Sequence, residues 1–187
     1  MDRREAVKYI SFMMGGAMVG GTAIISGCKT PMKVEDFFTP EEIALLDEVG
    51  DTIIPTTDTP GAKATGIGAF MALMVKDTYT PEDQAIFKEG ISKLQSLANE
   101  EYGSNFEAMS TEDKHSLLSM LNDQIMDDTT PKETAPQYFR MMKQLTLLGY
   151  FTSEIGVTQA RRYAPVPGKY EPCLDYQKGD KFWIHSI

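Results

Sequence analysis

Residues 38–62 read Phe38-Thr39-Pro40-Glu41-Glu42-Ile43-Ala44-Leu45-Leu46-Asp47-Glu48-Val49-Gly50-Asp51-Thr52-Ile53-Ile54-Pro55-Thr56-Thr57-Asp58-Thr59-Pro60-Gly61-Ala62. The first half carries a complete set of helix-start signals. Thr39 is a capping side chain, Pro40 takes the first helical position, and Glu42 closes a capping box. Phe38 and Ile43 are placed to form a hydrophobic staple. Leu45, Leu46, Val49 and Ile53 continue an apolar stripe, and the helix has to stop before Pro55. The second half, from Pro55 to Ala62, cannot be helix. Two prolines and a run of short polar side chains specify a tight loop. One reading of that loop is punctuation, with Asp58 and Thr59 satisfying backbone donors and Gly61 taking a positive φ. The other is a rigid recognition loop presented to a partner.

The pattern repeats downstream. A second helix is expected from about Gly66 to Asp77, with Phe70, Leu73 and Met74 on its apolar side. Thr80-Pro81-Glu82-Asp83 opens a third, with Ile86, Phe87, Ile91, Leu94, Leu97 and Ala98 inward and Gly103 as its stop. Ser110-Thr111-Glu112-Asp113 opens a fourth, with Leu117, Leu118, Leu121 and Ile125 inward. A fifth runs from about Pro136 to Thr152 and is apolar almost all round, which marks a helix that is central or docked on a partner. From Gly156 onward the signals change. Tyr163 to Pro172 holds three prolines and a glycine, so an extended arm wrapped over the helices is expected. No period-two alternation is long enough for a sheet. The expectation is an all-α, single domain of about five helices over residues 38–187, with an extended Pro/Gly-rich C-terminal arm.

Residues 1–27 read as something other than fold. Arg3, Arg4 and Lys8 sit in the register of a twin-arginine signal, Arg-Arg-x-Phe-Leu-Lys, with Ala6 and Val7 as weaker apolar substitutes. Tyr9 to Gly27 is uncharged and rich in glycine. A spanning helix needs roughly 20 strongly apolar residues, and each interior glycine costs about 1 kcal/mol, so an export signal fits better than a permanent anchor. Ile25-Ser26-Gly27-Cys28 resembles a lipobox, in which the Cys28 thiol takes the lipid and residues 28–37 become a lipidated tether. A plain membrane anchor with a coincidental cysteine, or cleavage without lipid, are the alternatives. The chain is thereby expected to be exported to the cell envelope, as a periplasm-facing membrane lipoprotein.

Charge narrows the partners. The whole chain carries −9; Arg3, Arg4 and Lys8 against Asp2 and Glu5 give the leader +1, leaving −10 for residues 28–187. An acidic surface argues against nucleic acid and against electrostatic attachment to anionic lipid. The membrane link then falls to the lipid on Cys28. With Cys28 acylated, Cys173 has no intrachain partner and reads as a small buried hydrophobe beside Pro172 and Leu174.

The inventory of reactive groups is thin. His115 reads as a surface residue, and the only other histidine is His185. No His-x-x-His or Cys-x-x-Cys occurs, and Glu112 to His115 is a lone Glu-x-x-His where a di-iron bundle needs two, so di-iron, zinc and haem sites lack ligands. No Gly-x-Gly-x-x-Gly and no Gly-x-Ser-x-Gly occurs either. The acidic pairs Glu41/Glu42, Glu100/Glu101 and Asp127/Asp128 fall at a helix start or on solvated faces. No catalytic residue, cofactor-binding residue or metal ligand is assigned to this chain.

The Pro55–Ala62 loop, with its flanks, resembles the gluconate 2-dehydrogenase subunit 3 family, small companions of membrane-associated, FAD-dependent sugar and polyol dehydrogenases. The matching residues are Asp51-Thr52-Ile53-Ile54-Pro55, Thr57-Asp58-Thr59-Pro60-Gly61-Ala62, then Gly66-Ile67 and Phe70. A second block, Leu145 to Gly156, and the arm with Pro165-Val166-Pro167-Gly168 also resemble the family. The resemblance implies a non-catalytic accessory subunit that escorts a flavoprotein large subunit, a GMC-type oxidoreductase, through twin-arginine export. FAD is then expected in the partner and no cofactor in this chain, with a cytochrome c subunit as a further possible companion. The candidate interface comprises Thr57, Asp58, Thr59, Pro60, Gly61, Tyr150, Phe151, Pro165, Pro167 and Gly168. The competing expectation is a free-standing helical envelope lipoprotein that binds a small ligand or envelope component.

Overall fold

Thr39 starts the first long helix as its side chain dictates. Its Oγ1 accepts from the Glu42 amide at 3.2 Å, and Glu42 Oε2 accepts from the Thr39 amide at 2.8 Å. Substituting such a cap costs about 1 kcal/mol. A computed structural model describes residues 34–127, 135–166, 168, 173 and 175–184, all within the compact unit Val34–Ile187. In chain order the helices are α1 (Val34–Phe37), α2 (Pro40–Ile53), α3 (Ile67–Thr78), α4 (Pro81–Tyr102), α5 (Thr111–Met126) and α6 (Gln137–Thr152). Short 3-10 turns lie at Ala62–Thr65 and Phe106–Ala108, and a π-helical turn follows α6 at Gly156–Ala160. Among the described residues there is no strand beyond one isolated bridge, Arg162 to Trp183. The fold is all-α, as the caps and periodicities predict.

The start and stop signals act as expected. Thr80 and Ser110 accept from the Asp83 and Asp113 amides, and Gly103 ends α4 at φ 70°. Two expectations need correction. The last turn of the assigned tether is helical, since Val34–Phe37 forms α1 and packs on α3; the rest of the tether lies outside the described residues. The buried face of α3 is Ile67, Gly68, Met71, Ala72 and Val75, while Leu73 is 46 % exposed and Phe70 and Met74 are half-buried. This helix is apolar nearly all round, so composition cannot choose the face and packing does.

The core is organised about α6. It packs against α2, α3, α4 and α5, burying Tyr138, Phe139, Met142, Leu145, Thr146 and Tyr150. Close approach is made possible by glycines. A Cβ at Gly149 would stand 2.5 Å from Ile67 Cδ1 and Phe70 Cδ1 of α3, and one at Gly90 of α4 would overlap the Cβ and ring of Tyr138. Burial pushes the Tyr138 phenol up to about 12. At the α2–α3 crossing, the Gly68 amide donates to Asp47 Oδ1 at 2.7 Å, so a neighbouring helix supplies the N-terminal cap that α3 lacks from its own Gly66.

Glu48 ties three elements together. Its carboxylate accepts from Lys114 of α5 at 2.7 Å and pairs with Lys63 of the first 3-10 turn. Hydrogen bonds from Lys114, then Lys63, hold this carboxyl below its ordinary value of 4.5. The sign follows: the stabilisation is full above about pH 4.5, the unfolded value, and is lost as pH falls through the lower folded one. Glu48→Gln is therefore expected to cost about 1 kcal/mol at neutral pH and much less near about pH 3. Urea unfolding midpoints of both chains at the two pH values check this; a cost independent of pH would refute the linkage.

Candidate functional site

The Pro55–Ala62 loop is built from backbone bonds. The Thr57 amide donates to the Thr59 carbonyl at 3.0 Å, leaving Asp58 exposed at the tip, and the Ala62 amide donates back to the Ile54 carbonyl at 2.9 Å. The side chain that satisfies a loop donor is Thr56, whose Oγ1 accepts from the Gly61 amide at 2.9 Å. Gly61 does not take the expected positive φ; it is extended, at φ −74°. It is glycine because of space: an added Cβ would lie 2.7 Å from Asp51 Oδ1 and the Thr56 nitrogen. The left-handed residue is Gly66, at φ 67°, where the 3-10 turn hands over to α3.

From this loop a continuous line of contacts runs across the molecule. The Tyr150 hydroxyl, at the end of α6, donates to the Pro60 carbonyl at 2.8 Å. The Tyr150 ring meets Phe151 edge-on, at 5.2 Å between centroids. The Arg161 guanidinium then stands over the Phe151 ring at 5.3 Å. The turn between them is tightly made. Ser153 Oγ donates to the Tyr150 carbonyl at 2.7 Å and accepts from the Gly156 amide at 3.0 Å, and no side chain fits at Gly156 against that same carbonyl. Along the outer face of α6, Leu147, Leu148 and Phe151 are exposed at 40 %, 47 % and 37 %. The central helix is therefore incompletely covered.

The candidate residues divide accordingly. Thr57, Asp58 and Phe151 are exposed, with Thr59 and Pro60 half-buried. Tyr150 is only 2 % exposed, so it holds the loop from inside rather than meeting a partner; its hydroxyl reaches a carbonyl, which periodicity alone does not reveal. Gly61 is likewise buried. Pro165 and Gly168 are exposed, and Pro167, like Arg3, Arg4, Lys8 and Cys28, lies outside the described residues. Among its described residues, the arm is not wrapped over the helices as expected. Tyr163, Val166, Tyr176, Phe182 and Trp183 are exposed, and the arm closes on itself instead. The Arg162 amide donates to the Phe182 carbonyl at 2.7 Å, and its guanidinium pairs with Asp180 at 3.0 Å and stands over Trp183. Cys173 is exposed, which corrects its reading as a buried hydrophobe. Arg161 was not singled out by sequence, because its position depends on the π-helical register of Gly156–Ala160.

Chemistry of a catalytic kind is sparse among the described residues. His115 is exposed, with Ser119 Oγ at 3.5 Å from Nδ1, too long for an activated nucleophile. Lys143 donates to Asn122 in the same groove. No group of three His, Cys, Asp or Glu side chains among the described residues comes together for a metal ion.

A family model described as Gluconate 2-dehydrogenase subunit 3 matches residues 40–168. The chain belongs to this family. The match runs from the first residue of α2 into the arm and includes the loop, all of α6 and the π-helical turn. No curated protein and no solved structure matches the chain. The gluconate 2-dehydrogenase subunit 3 family supplies a subunit of a multi-subunit dehydrogenase, which makes partner subunits the relevant context for the exposed end of α6.

Proposed function

We propose that this protein is a non-catalytic accessory subunit of an FAD-dependent dehydrogenase. It binds the flavoprotein large subunit, a GMC-type oxidoreductase, brings it through the twin-arginine exporter and holds it to the membrane by a lipid on Cys28. Family membership over residues 40–168 is the observation that carries the reading. It is supported by the leader, in which Arg3, Arg4 and Lys8 precede an uncharged stretch and Cys28, and by the apolar strip that α6 leaves exposed. A standard interface buries about 1,600 Å² in total, and the loop, the end of α6 and the following turn form a connected surface on which to build one. FAD and the redox chemistry reside in the partner. A flavoprotein that folds around FAD before crossing the membrane needs an exporter of folded proteins, and one signal serves both chains while the interface holds.

Co-expression with a GMC-type flavoprotein large subunit is expected to yield an envelope-bound complex with flavin absorbance, while this chain alone is expected to show none. Changing Arg3 and Arg4 together to lysine is expected to leave both proteins in the cytoplasm. Fractionation with immunoblotting of each chain is the measurement. A flavoprotein that reaches the envelope regardless would remove the escort role.

A further inference from the structure

Arg161 is the one described residue with a buried side-chain nitrogen that has no hydrogen-bond partner: its Nε. Its neighbour Arg162 is paired with Asp180, but among the described residues no carboxylate pairs with Arg161. Leaving a buried donor unsatisfied is destabilising, and such exceptions in a folded protein call for a reason. The side chain is held in place by stacking on Phe151 and by the π-helical turn Gly156–Ala160 that ends at it. Single π-helical turns concentrate at functional sites. Phe151 itself is exposed, as are Leu147 and Leu148 on the same outer face of α6.

Charge selects what fits there. Residues 38–153 carry 19 acidic against 8 basic side chains, whereas residues 154–187 carry 5 basic against 4 acidic. An acidic group on a partner meets net repulsion from the charges of residues 38–153, which those of residues 154–187 do not share. The Nε is enclosed by this chain, so it is the terminal nitrogens of a guanidinium fixed on an aromatic face that a carboxylate meets with two parallel hydrogen bonds.

We propose that Arg161, stacked on Phe151 at the end of α6, is the anchor of the interface and receives an Asp or Glu carboxylate of the flavoprotein large subunit set in an apolar surround. This rests on the accessory-subunit reading. Aromatic and arginine side chains in partly buried settings dominate interface energies. The test uses the purified two-chain complex. Arg161→Ala is expected to weaken association by about 30-fold with the thermal midpoint of the isolated chain unchanged, while Arg162→Ala changes association by less than about 3-fold. In the Arg161→Lys chain, a carbodiimide is expected to couple the introduced amine to an Asp or Glu of the flavoprotein, read by mass spectrometry. Tight association of Arg161→Ala, or coupling of that amine only to residues of its own chain, overturns the anchor while leaving the accessory role standing. Failure of the unaltered chain to bind the flavoprotein at all removes both.

Discussion

Tyr150→Ala is expected to destabilise the fold by about 3–5 kcal/mol, the range for emptying a buried aromatic site. The ring is almost wholly enclosed, and its hydroxyl is the side-chain bond from α6 to the Pro55–Ala62 loop. Two losses are combined in that one change, and Tyr150→Phe separates them. Phenylalanine keeps the packed ring and loses only the bond to the Pro60 carbonyl, so it is expected to cost about 1 kcal/mol. Urea unfolding gives both numbers; equal costs for the two variants would mean that the ring contributes nothing. The phenylalanine variant also asks a functional question. With the core intact and the loop released, weaker binding of the flavoprotein would place the loop in the interface, whereas unchanged binding would make it punctuation.

Gly90→Leu is expected to cost about 3 kcal/mol or more, despite glycine being the poorer helix former by about 1 kcal/mol. The first added carbon already overlaps the Cβ and ring of Tyr138. A Cβ cannot rotate away, so α4 and α6 must separate and the core between them loosens. The remedy identifies the cause. Combining Gly90→Leu with Tyr138→Ala is expected to cost less than the two single changes added together, by at least about 1 kcal/mol, because the second change vacates the space the first needs. Strict additivity, measured by the same unfolding experiment, would show that the two helices do not meet through these residues.

What the sequence makes legible here is local. The caps at Thr39, Thr80 and Ser110 and the stop at Gly103 are decided within a turn of chain, and they are where the residues place them. The centrality of α6 follows from an apolar character too extensive for a one-sided helix. Illegible features depend on contacts between distant residues. A glycine inside a helix reads as a local penalty, yet Gly90 and Gly149 are points of closest helix approach. Gly61 reads as a turn residue with unusual φ, yet it is excluded from having a side chain by Asp51 and Thr56. The α1 turn, Val34–Phe37, has no capping signal; Lys88 from α4 supports it by donating to the Phe37 carbonyl. At the candidate interface, Phe151 is legible as an apolar residue, but Tyr150 turning inward depends on its bond to the distant Pro60 carbonyl, and Arg161 turning onto Phe151 depends on the π-helical register.

The helix on which the others pack is also the last to be made. Residues 34–127 leave the ribosome with the slot for α6 still open, and although α2 and α3 already meet, the apolar faces that α2, α3, α4 and α5 turn toward α6 have nothing to close on until Gln137–Thr152 emerges. Contacts of such long sequence separation form late and slowly. Completion of this fold thus waits for Thr152, and a nascent chain halted before it is a natural client for a chaperone. Truncating the gene within α6 would yield not a shortened subunit but a sticky, unfinished one.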